Sequence, residues 1–383
     1  MYKFFMYYFE DLEDERDVNK VEHDLYDIVF IAFIATLCGV ESFTDMEMFA
    51  NYQKKWFLKY IKLKNGVPSH DTMMRVLNML DPQDLNERFG KLFETILSYS
   101  GLKTKNEQYS IDGKSIKGSA YIDKKTGKKH TIHTLNVLSN SSGLSVFQRT
   151  VCKEKIQSET EAILYVLSVL DVRKKIISVD AGMSYKHIAN KIIEKKGNYV
   201  MAIKDNNKNT LKIIKDHILS NGYSDKNKFE ESEKAHGRRT KRCFYSYKLP
   251  QKIKDSIGFP NAKYISVYET INLETDTLND RRYFITSKNV ASPEEFYRYC
   301  RNHWAVENNL HWMLDVLFKE DDSKLKKGNA PKVLLILRQI GLNLLKMDKS
   351  KGTFKSKKRR FEWNNEYRDK MLKKNINDWA IKS

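Results

Sequence analysis

Three acidic residues, far apart in the chain, lie in settings that suit metal-dependent chemistry. Asp112 (in YSIDGKSIKGS) and Asp180 (in IISVDAGMS) each end a short run of apolar, β-branched residues that predicts a buried strand. Glu307 lies in RNHWAVENNLHWMLD, whose spacing predicts an amphipathic helix. Carboxylate oxygens are ligands that Mg²⁺ prefers, and two such ions about 4 Å apart stabilise both oxygens of an in-line phosphoryl transfer. The three residues are therefore the candidate catalytic and metal-binding groups.

Each of these residues also has a simpler interpretation. The first aspartate precedes a glycine, and Asp-Gly is a common turn. The second could cap the helix that follows it. Four residues at a spacing of four share one face of the predicted helix, namely His303, Glu307, His311 and Asp315. That face could hold a single zinc ion or be an ordinary polar surface, although the HExxH pattern typical of zinc hydrolases does not occur. Asp321 and Asp322 are alternative metal ligands.

The charge of the chain favours a polyanionic partner. Its 383 residues include 68 Lys and Arg against 49 Asp and Glu, which gives a formal net charge of +19. The excess is spread along the sequence, as in proteins that bind nucleic acid. A generically basic protein from a lysine-rich genome is the alternative. The candidate DNA-contacting residues, which flank the carboxylates or lie on a basic ribbon, are Lys114, Lys117, Lys204, Asn206, His236, Arg238, Arg239, Arg301 and His303.

The cysteines and the apolar stretches indicate a cytoplasmic protein. The four cysteines form no CxxC pair, so neither a zinc knuckle nor a disulfide framework is suggested, and a reducing cytosol is expected. The longest apolar stretch, residues 28–40, is shorter than the roughly 18 residues that a membrane-spanning helix needs. It predicts a buried helix instead.

The predicted elements would bring the two aspartates together. Residues 1–100 are expected to form an all-α domain, either a DNA reader or a packing or dimerisation unit, with helices at 20–38, 43–63, 70–80 and 83–99. An α/β pattern follows, with strands at 107–113, 130–139, 144–153, 175–180 and 198–204 and helices at 158–171, 184–196 and 207–220. This is the order of an RNase H-like core, in which the first and fourth strands are neighbours.

The rest of the chain completes a predicted catalytic domain over 101–348. Alternating residues in about 228–289 predict a β-strand insertion, which precedes helices at 293–318 and 330–347. Residues 349–383 are expected to be a basic tail. Between 349 and 360 it has seven Lys or Arg and no acid, which predicts a mobile phosphate-binding arm or a solubilising tail.

These motifs resemble those of a known family. The chain resembles the ISAs family of bacterial insertion-sequence transposases, which includes the H-repeat-associated proteins and belongs to the DDE group with RNase H-like cores. FEDLEDERDVNKVEHDLYDI, GVESFTDMEMFA and NGVPSHDTMMRVLNMLDP are similar to its N-terminal associated domain. Its catalytic domain is matched by SIDGKSIKGS, ISVDAGMS, NYVMAIKDNN, AHGRRTKR and RNHWAVENNLHWMLDVLFKEDDSKLKKGNAP. By position, Asp112, Asp180 and Glu307 match the family's catalytic triad.

Two departures bear on the flanking residues. The wider group often has a tyrosine and an arginine before the glutamate and a lysine seven residues after it. Cys300, His303 and Leu314 stand at those positions here. Relatives often have KGNQ where this chain has KDNN at 204–207, so an added carboxylate lies beside the predicted phosphate contacts.

The resemblance implies a DNA transposase that uses Mg²⁺, with Mn²⁺ as a substitute. Such an enzyme binds the terminal inverted repeats of its element, hydrolyses a phosphodiester bond and joins the freed 3′-OH to target DNA. The implied partner is double-stranded DNA, and pairing two ends implies a homo-oligomer on DNA. The implied location is the bacterial cytoplasm, at the nucleoid when bound. The alternatives are a catalytically inactive DNA-binding relic and a metal-dependent nuclease without strand transfer.

Overall fold

The N-terminal region is helical, as predicted. The computed structural model describes residues 2–9, 11–99, 107–151, 158–235 and 238–373. The first helices are α1 (Tyr2–Phe9), α2 (Leu25–Leu37), α3 (Phe43–Tyr52), α4 (Lys54–Phe57), α5 (His70–Met79) and α6 (Pro82–Tyr99). Every residue of α2 is buried, which explains why its sequence is apolar except at Asp27 and Thr36. The Ser69 hydroxyl accepts the Thr72 amide N–H at 3.3 Å and begins α5.

A mixed sheet follows, with the predicted strand order. Its first strands are β1 (Gln108–Ile122), β2 (Lys129–Ser139), β3 (Ser145–Val151), β4 (Ile176–Val179) and β5 (Asn198–Ile203), and the helices between and after them are α7 (Ser158–Val169), α8 (Lys186–Glu194) and α9 (Lys208–Asn221). The spatial order is β3-β2-β1-β4-β5. Strand β4 runs parallel to β1 and β5, whereas the β1–β2–β3 pairings are antiparallel. The core is therefore RNase H-like.

The predicted β-insertion extends this same sheet. It consists of β6 (Lys228–Ala235), β7 (Arg238–Lys248), α10 (Gln251–Ile257), β8 (Tyr264–Asn272) and β9 (Thr277–Thr286). Strand β9 pairs antiparallel with β5, and the described part of the sheet runs in the order β3-β2-β1-β4-β5-β9-β8-β7-β6. Strand β6, which is rich in glutamate, therefore forms one outer edge.

The C-terminal helices differ from the prediction in two places. They are α11 (Pro293–His303), α12 (Trp312–Phe318), α13 (Ala330–Met347), α14 (Phe354–Trp363) and α15 (Asn365–Lys373). A single continuous helix over 293–318 was predicted, but a π-helical turn, Glu307–His311, lies between α11 and α12. The prediction that residues after 349 form a mobile or solubilising tail was also wrong as far as Lys373, because this part of the chain folds into α14 and α15. Residues 374–383 lie outside the described part.

Buried charges hold α14 and α15 in place. Lys357 and Lys358 are buried, and Arg368 is completely buried. The Arg368 guanidinium donates to the Phe361 carbonyl at 3.0 Å and to the Glu362 carbonyl at 2.8 Å. Its carbon Cζ lies 4.7 Å from the ring centre of Trp56, within cation–π range. The C-terminal helices are thus part of the folded body and pack on the N-terminal helices.

One hydrophobic core joins the helical region to the sheet. Helix α13 is buried along most of its length and packs on α2, α6 and β3. The same apolar cluster contains Phe33 of α2, Val146 of β3 and Leu342 of α13. Within the described ranges, no helix is both long and apolar enough to cross a membrane.

Candidate active site

The two aspartates lie side by side on neighbouring inner strands of the sheet, where β4 ends. Ile111 of β1 pairs in parallel register with Val179 of β4, so Asp112 and Asp180 occupy the next position on neighbouring strands. Adjacent strands are about 4.8 Å apart. Both aspartates line a cavity of about 200 Å³, together with Glu159 of α7. The carboxylates that follow the two apolar runs are therefore brought to one place, as predicted, although β1 continues beyond Asp112 to Ile122.

Negative charge converges on Asp112. Its side chain is 17% exposed, and one of its carboxylate oxygens accepts the Gly113 amide N–H at 2.8 Å. Burial raises the pKa of Asp112 to about 7, and the negative charges of Glu307 and Asp180 contribute to that rise. Glu307 therefore lies close enough to Asp112 to influence it. An acidic group whose pKa is strongly shifted by burial and by neighbouring charges is typical of functional sites.

Glu307 is the first residue of the π-helical turn and is exposed. A π turn is a rare feature that occurs frequently at functional sites. It widens the helix locally, so the regular spacing of four does not continue from α11 into α12. His303, His311 and Asp315 contact the sheet, whereas Glu307 is open to solvent. The predicted polar face shared by all four residues is therefore interrupted at the glutamate.

Two histidines fasten the helix to the sheet on either side of this turn. His303 Nδ1 lies 3.2 Å from the Ser178 hydroxyl on β4. His311 Nε2 lies 3.1 Å from the Asn136 amide nitrogen on β2. Burial lowers the pKa of His303 to about 4 and that of His311 to about 3, so both rings are neutral at physiological pH.

The contacts of the neutral His311 ring determine which of its nitrogens carries the proton. Asn136 Oδ1 accepts the Gln339 side-chain amide at 2.6 Å, so its Nδ2 is the donor that faces the ring. The ring nitrogen Nε2 must then be unprotonated, which leaves the proton on Nδ1. His311 Nδ1 lies 3.6 Å from Asp112 Oδ2 and presents an N–H, without a full positive charge, to the site.

Lys114 is committed to carboxylates and not to phosphate. Its ammonium lies 2.5 Å from Asp315 and 2.7 Å from Glu320, and its side chain is only 8% exposed. These ion pairs hold α12 and the turn after it against β1. These ion pairs correct the prediction that Lys114 contacts DNA. The prediction missed them because the two partners lie some two hundred residues away in the sequence.

Sequence reasoning missed Lys346. Its ammonium donates to the Asn309 carbonyl, inside the π turn, at 2.6 Å and also to the Gly143 carbonyl. Burial lowers the pKa of Lys346 to about 7. A lysine near the end of an amphipathic helix carries no local signal for this contact, yet here it connects α13 to the turn that begins with Glu307.

The predicted contacts near Asp180 are split between exposed and structural roles. Lys117 is exposed and pairs with Asp321 at 3.1 Å. Lys204 is exposed at the end of β5. The Asn206 side-chain amide donates to the Ala181 carbonyl at 2.7 Å. Asn206 therefore holds the loop beside the second aspartate, while the two lysines remain accessible.

The basic ribbon is partly neutralised by its neighbouring strand. Arg239 is exposed, but Lys241 pairs with Glu230 at 3.0 Å and Arg242 with Glu231 at 3.3 Å. The acidic strand β6 was not predicted, which is why the ribbon seemed more basic than it is. His236 and the side chain of Arg238 lie outside the described residues. The Arg301 guanidinium carbon is 5.2 Å from the ring centre of Trp304.

The carboxylates fit a divalent cation by chemistry and charge. Asp112, Asp180 and Glu307 carry oxygen atoms of the kind that hard ions take as ligands. Burial, followed by the charges of Glu307 and Asp180, raises the pKa of Asp112, and a cation would offset both effects. Across the described ranges, no three His, Cys, Asp or Glu side chains are already close enough to hold one ion. The two aspartates lie next to each other on neighbouring strands, and Glu307 is the third carboxylate whose charge acts on Asp112.

Comparison with known proteins identifies the family. A family model described as "Transposase DDE domain" matches residues 103–344, which contain all three carboxylates. This chain belongs to the DDE transposase family. A second model, described as "DDE_Tnp_1-associated", matches residues 6–93 of the transposase chain, the helical region. The predicted resemblance is thereby confirmed.

Two relatives of this transposase chain match it over most of its length. "Putative transposase YncI" of Escherichia coli O157:H7 is 30% identical over 95% of this chain and 93% of its own length. "H repeat-associated putative transposase YhhI" of Escherichia coli K12 is 30% identical over 88% of this chain and 89% of its own. A cryo-EM structure of a piggyBac transposase synaptic complex with hairpin DNA covers 96% of this chain and 78% of that chain at 12% identity, with a TM-score of 0.38.

Proposed function

We propose that this DDE transposase chain moves a bacterial insertion sequence. It would bind the ends of the element, hydrolyse a phosphodiester bond at each end and join the freed 3′-OH to target DNA. The observation that supports this most directly is the register of β1 and β4, which sets Asp112 beside Asp180 with the charge of Glu307 acting on the first aspartate. Asp112, Asp180 and Glu307 are the proposed catalytic residues.

In this proposal the three carboxylates hold Mg²⁺, for which Mn²⁺ substitutes. The bound metal would supply a more acidic water and neutralise charge on the phosphate. The chain's own groups set the geometry. Asp112 is oriented by the Gly113 amide, and the neutral His311 lies against it without competing as a cation. Lys346 holds the π turn itself, and Lys114 holds α12, which follows it.

The proposed partner is double-stranded DNA, both element ends and target. The exposed Lys117, Lys204 and Arg239 remain candidate phosphate contacts, and the net charge of +19 agrees with them. The proposed domains are the helical 1–100 and the catalytic 101–348. Pairing two ends implies that at least two copies act together on DNA, in the bacterial cytoplasm.

The experiment that tests this proposal is a cleavage and joining assay. Purified protein is mixed with labelled DNA that carries the sequences flanking its gene, a plasmid target, and Mg²⁺ or EDTA. Asp112→Asn, Asp180→Asn and Glu307→Gln are each expected to lower cleavage about a thousandfold or more, because such residues act as a unit, while DNA binding persists. Glu294→Gln is the control, since Glu294 lies on α11 in an exposed ion pair with Arg298.

The products separate the alternatives. Joined product that requires Mg²⁺ supports the transposase. Cleavage without joining would indicate a nuclease, and binding with neither activity would indicate a DNA-binding relic. A fully active variant at any of the three positions would remove that residue from the proposed site.

A further inference from the structure

A groove lined by lysines adjoins the active-site cavity. It has a volume of about 800 Å³ and lies between the β1–β2 hairpin and the segment before α13. Five lysines line it, namely Lys128, Lys129, Lys326, Lys327 and Lys332. Among the described residues that line this lysine groove there is no Asp or Glu. These lysines were not among the predicted DNA contacts. Their concentration in one groove distinguishes them from the lysines that are scattered over the surface.

Asp123, the acid in the turn of the β1–β2 hairpin, is hydrogen-bonded to the backbone of that turn. The Asp123 carboxylate accepts the backbone N–H groups of Lys125 at 2.7 Å and Thr126 at 3.1 Å, which form the turn between β1 and β2. Those bonds lower the pKa of Asp123 and direct the carboxylate into the turn. The described lining of the groove therefore has five lysines and no acid of its own, and such an excess of positive charge attracts polyanions.

One wall of the groove is flat and aromatic. The rings of Tyr121 and His130 stack across β1 and β2 with 5.1 Å between their centres and 18° between their planes. The Lys327 ammonium lies 5.4 Å from the centre of the Tyr121 ring. The Tyr121 ring thus holds the Lys327 ammonium at the wall of the groove by a cation–π contact, and lysine side chains are among the groups that contact DNA phosphates.

The opposite wall is rigid. The Asn78 side chain, on α5, accepts the Ala330 amide N–H at 3.0 Å, and the Asn329 side chain donates to the Leu80 carbonyl at 3.1 Å. These bonds fasten the segment that carries Lys326 and Lys327 to the N-terminal helices. The lysines therefore extend from a fixed backbone, which lowers the entropy cost of ordering them on a ligand.

The groove leads into the active site. His133 and Val151 line both the groove and the cavity that contains Asp112. Asp112 pairs with Asn136 on β2, and His130 lies six positions from Asn136 on the same strand. At about 3.4 Å per residue this separation is roughly 20 Å, which corresponds to about six nucleotides along one strand of B-DNA.

We propose that the lysine groove binds the phosphate backbone of the DNA duplex next to the bond that is cut, at about six nucleotides from it. The inference rests on the proposed function, because it needs the scissile phosphate at Asp112. The contact is to phosphates and not to bases, so it is independent of sequence. It fixes the direction in which DNA leaves the active site, along the β1–β2 hairpin and past α5.

The test compares two sets of lysine substitutions in the cleavage-deficient Glu307→Gln protein. The groove variant carries Lys129→Gln, Lys326→Gln and Lys327→Gln. The control carries Lys252→Gln, Lys254→Gln and Lys263→Gln, which remove the same charge near α10, at the opposite end of β4 and β5. DNA affinity is measured over a range of salt for a duplex with the flanking sequences and for a scrambled duplex. Hydroxyl-radical footprints locate the protected phosphates.

The groove variant should lose about 0.9 from the salt slope per lost phosphate contact, hence nearly 3 in total, equally on both duplexes. Protection should disappear about six nucleotides from the cleavage point and persist at it, while the control retains the slope and footprint of the parent. An unchanged slope and footprint in the groove variant, or an equal loss in the control, would overturn the inference. If the parent Glu307→Gln protein binds neither duplex, the proposed function fails along with it.

Discussion

Buried charges fix the positions of single residues around the active site. Lys114, on β1, lies between Asp315 and Glu320, and the Glu320 side chain is only 1% exposed. Burial raises the pKa of Glu320, and the charges of Lys114 and Arg338 oppose that rise. A buried ion pair adds little net stability over an apolar replacement, but removing one partner leaves an uncompensated charge. Each member of this network is therefore needed by the others.

Glu320→Gln should reduce the free energy of unfolding by about 3–5 kcal/mol, because it leaves Lys114 and Arg338 buried without their shared counter-charge. Urea denaturation followed by circular dichroism measures the change. Glu294→Gln removes the same charge from an exposed pair with Arg298 and should alter stability by about 0.5 kcal/mol or less. Equal effects of the two substitutions would show that the buried network carries no special weight.

The sequence revealed some residue roles and concealed others. The apolar runs before Asp112 and Asp180 predicted both strands, since burial of β-branched residues is a local signal. The prediction that Asp112 ends its strand was wrong, because β1 continues to Ile122 through its pairing with β2. Lys114 was misassigned because its partners, Asp315 and Glu320, are distant in sequence. The contact of Lys346 with the Asn309 carbonyl was missed for the same reason.

At the scale of elements, the π turn determines where Glu307 points. The helix before it is held by His303 on β4, and the helix after it by Asp315 on Lys114. The π turn lies between these two anchors. The apolar periodicity predicted the helix but not this turn. A π turn contains one more residue than a regular α-helical turn, and contacts of both flanking helices with the sheet, which are distant in sequence, accompany it here.

Deletion of Asn308 should convert the π turn into regular α-helix and remove most cleavage activity, since the two anchors then impose a different orientation on Glu307. The control is Asn308→Ala, because this exposed side chain can be shortened while the turn keeps its length. The measurement is cleavage of labelled DNA alongside the thermal unfolding midpoint. A deletion protein that is folded and fully active would separate the π turn from catalysis.

The whole molecule is built around a core that crosses the limits of the two matched segments. Helix α13 contacts α2 as well as β3, and α14 and α15 pack on the N-terminal helices. These contacts could not be predicted because they join opposite ends of the chain. Abundant lysine also hid Phe361, Met371 and Leu372, which are buried, so a charged sequence looked like a tail.

Removal of residues 353–383 should lower the free energy of unfolding by about 5 kcal/mol or more, since the truncation removes the buried side chains of Phe361, Met371 and Leu372 from the core. Urea denaturation measures this loss. In the full-length chain, Lys351→Ala with Lys355→Ala removes exposed charges from the same region and should leave stability nearly unchanged. A truncated protein as stable as the parent would restore the interpretation of this region as a tail.

The outer strand of the insertion has a consequence for assembly. Strand β6 carries Glu230, Glu231 and Glu233 along the edge of the sheet. If a second copy added its own β6 alongside, glutamates would lie opposite glutamates, and charged edge strands of this kind resist such pairing. Copies that meet on paired DNA ends would therefore be disfavoured from joining through β6, and the growth of a sheet from one copy into the next is opposed at this border.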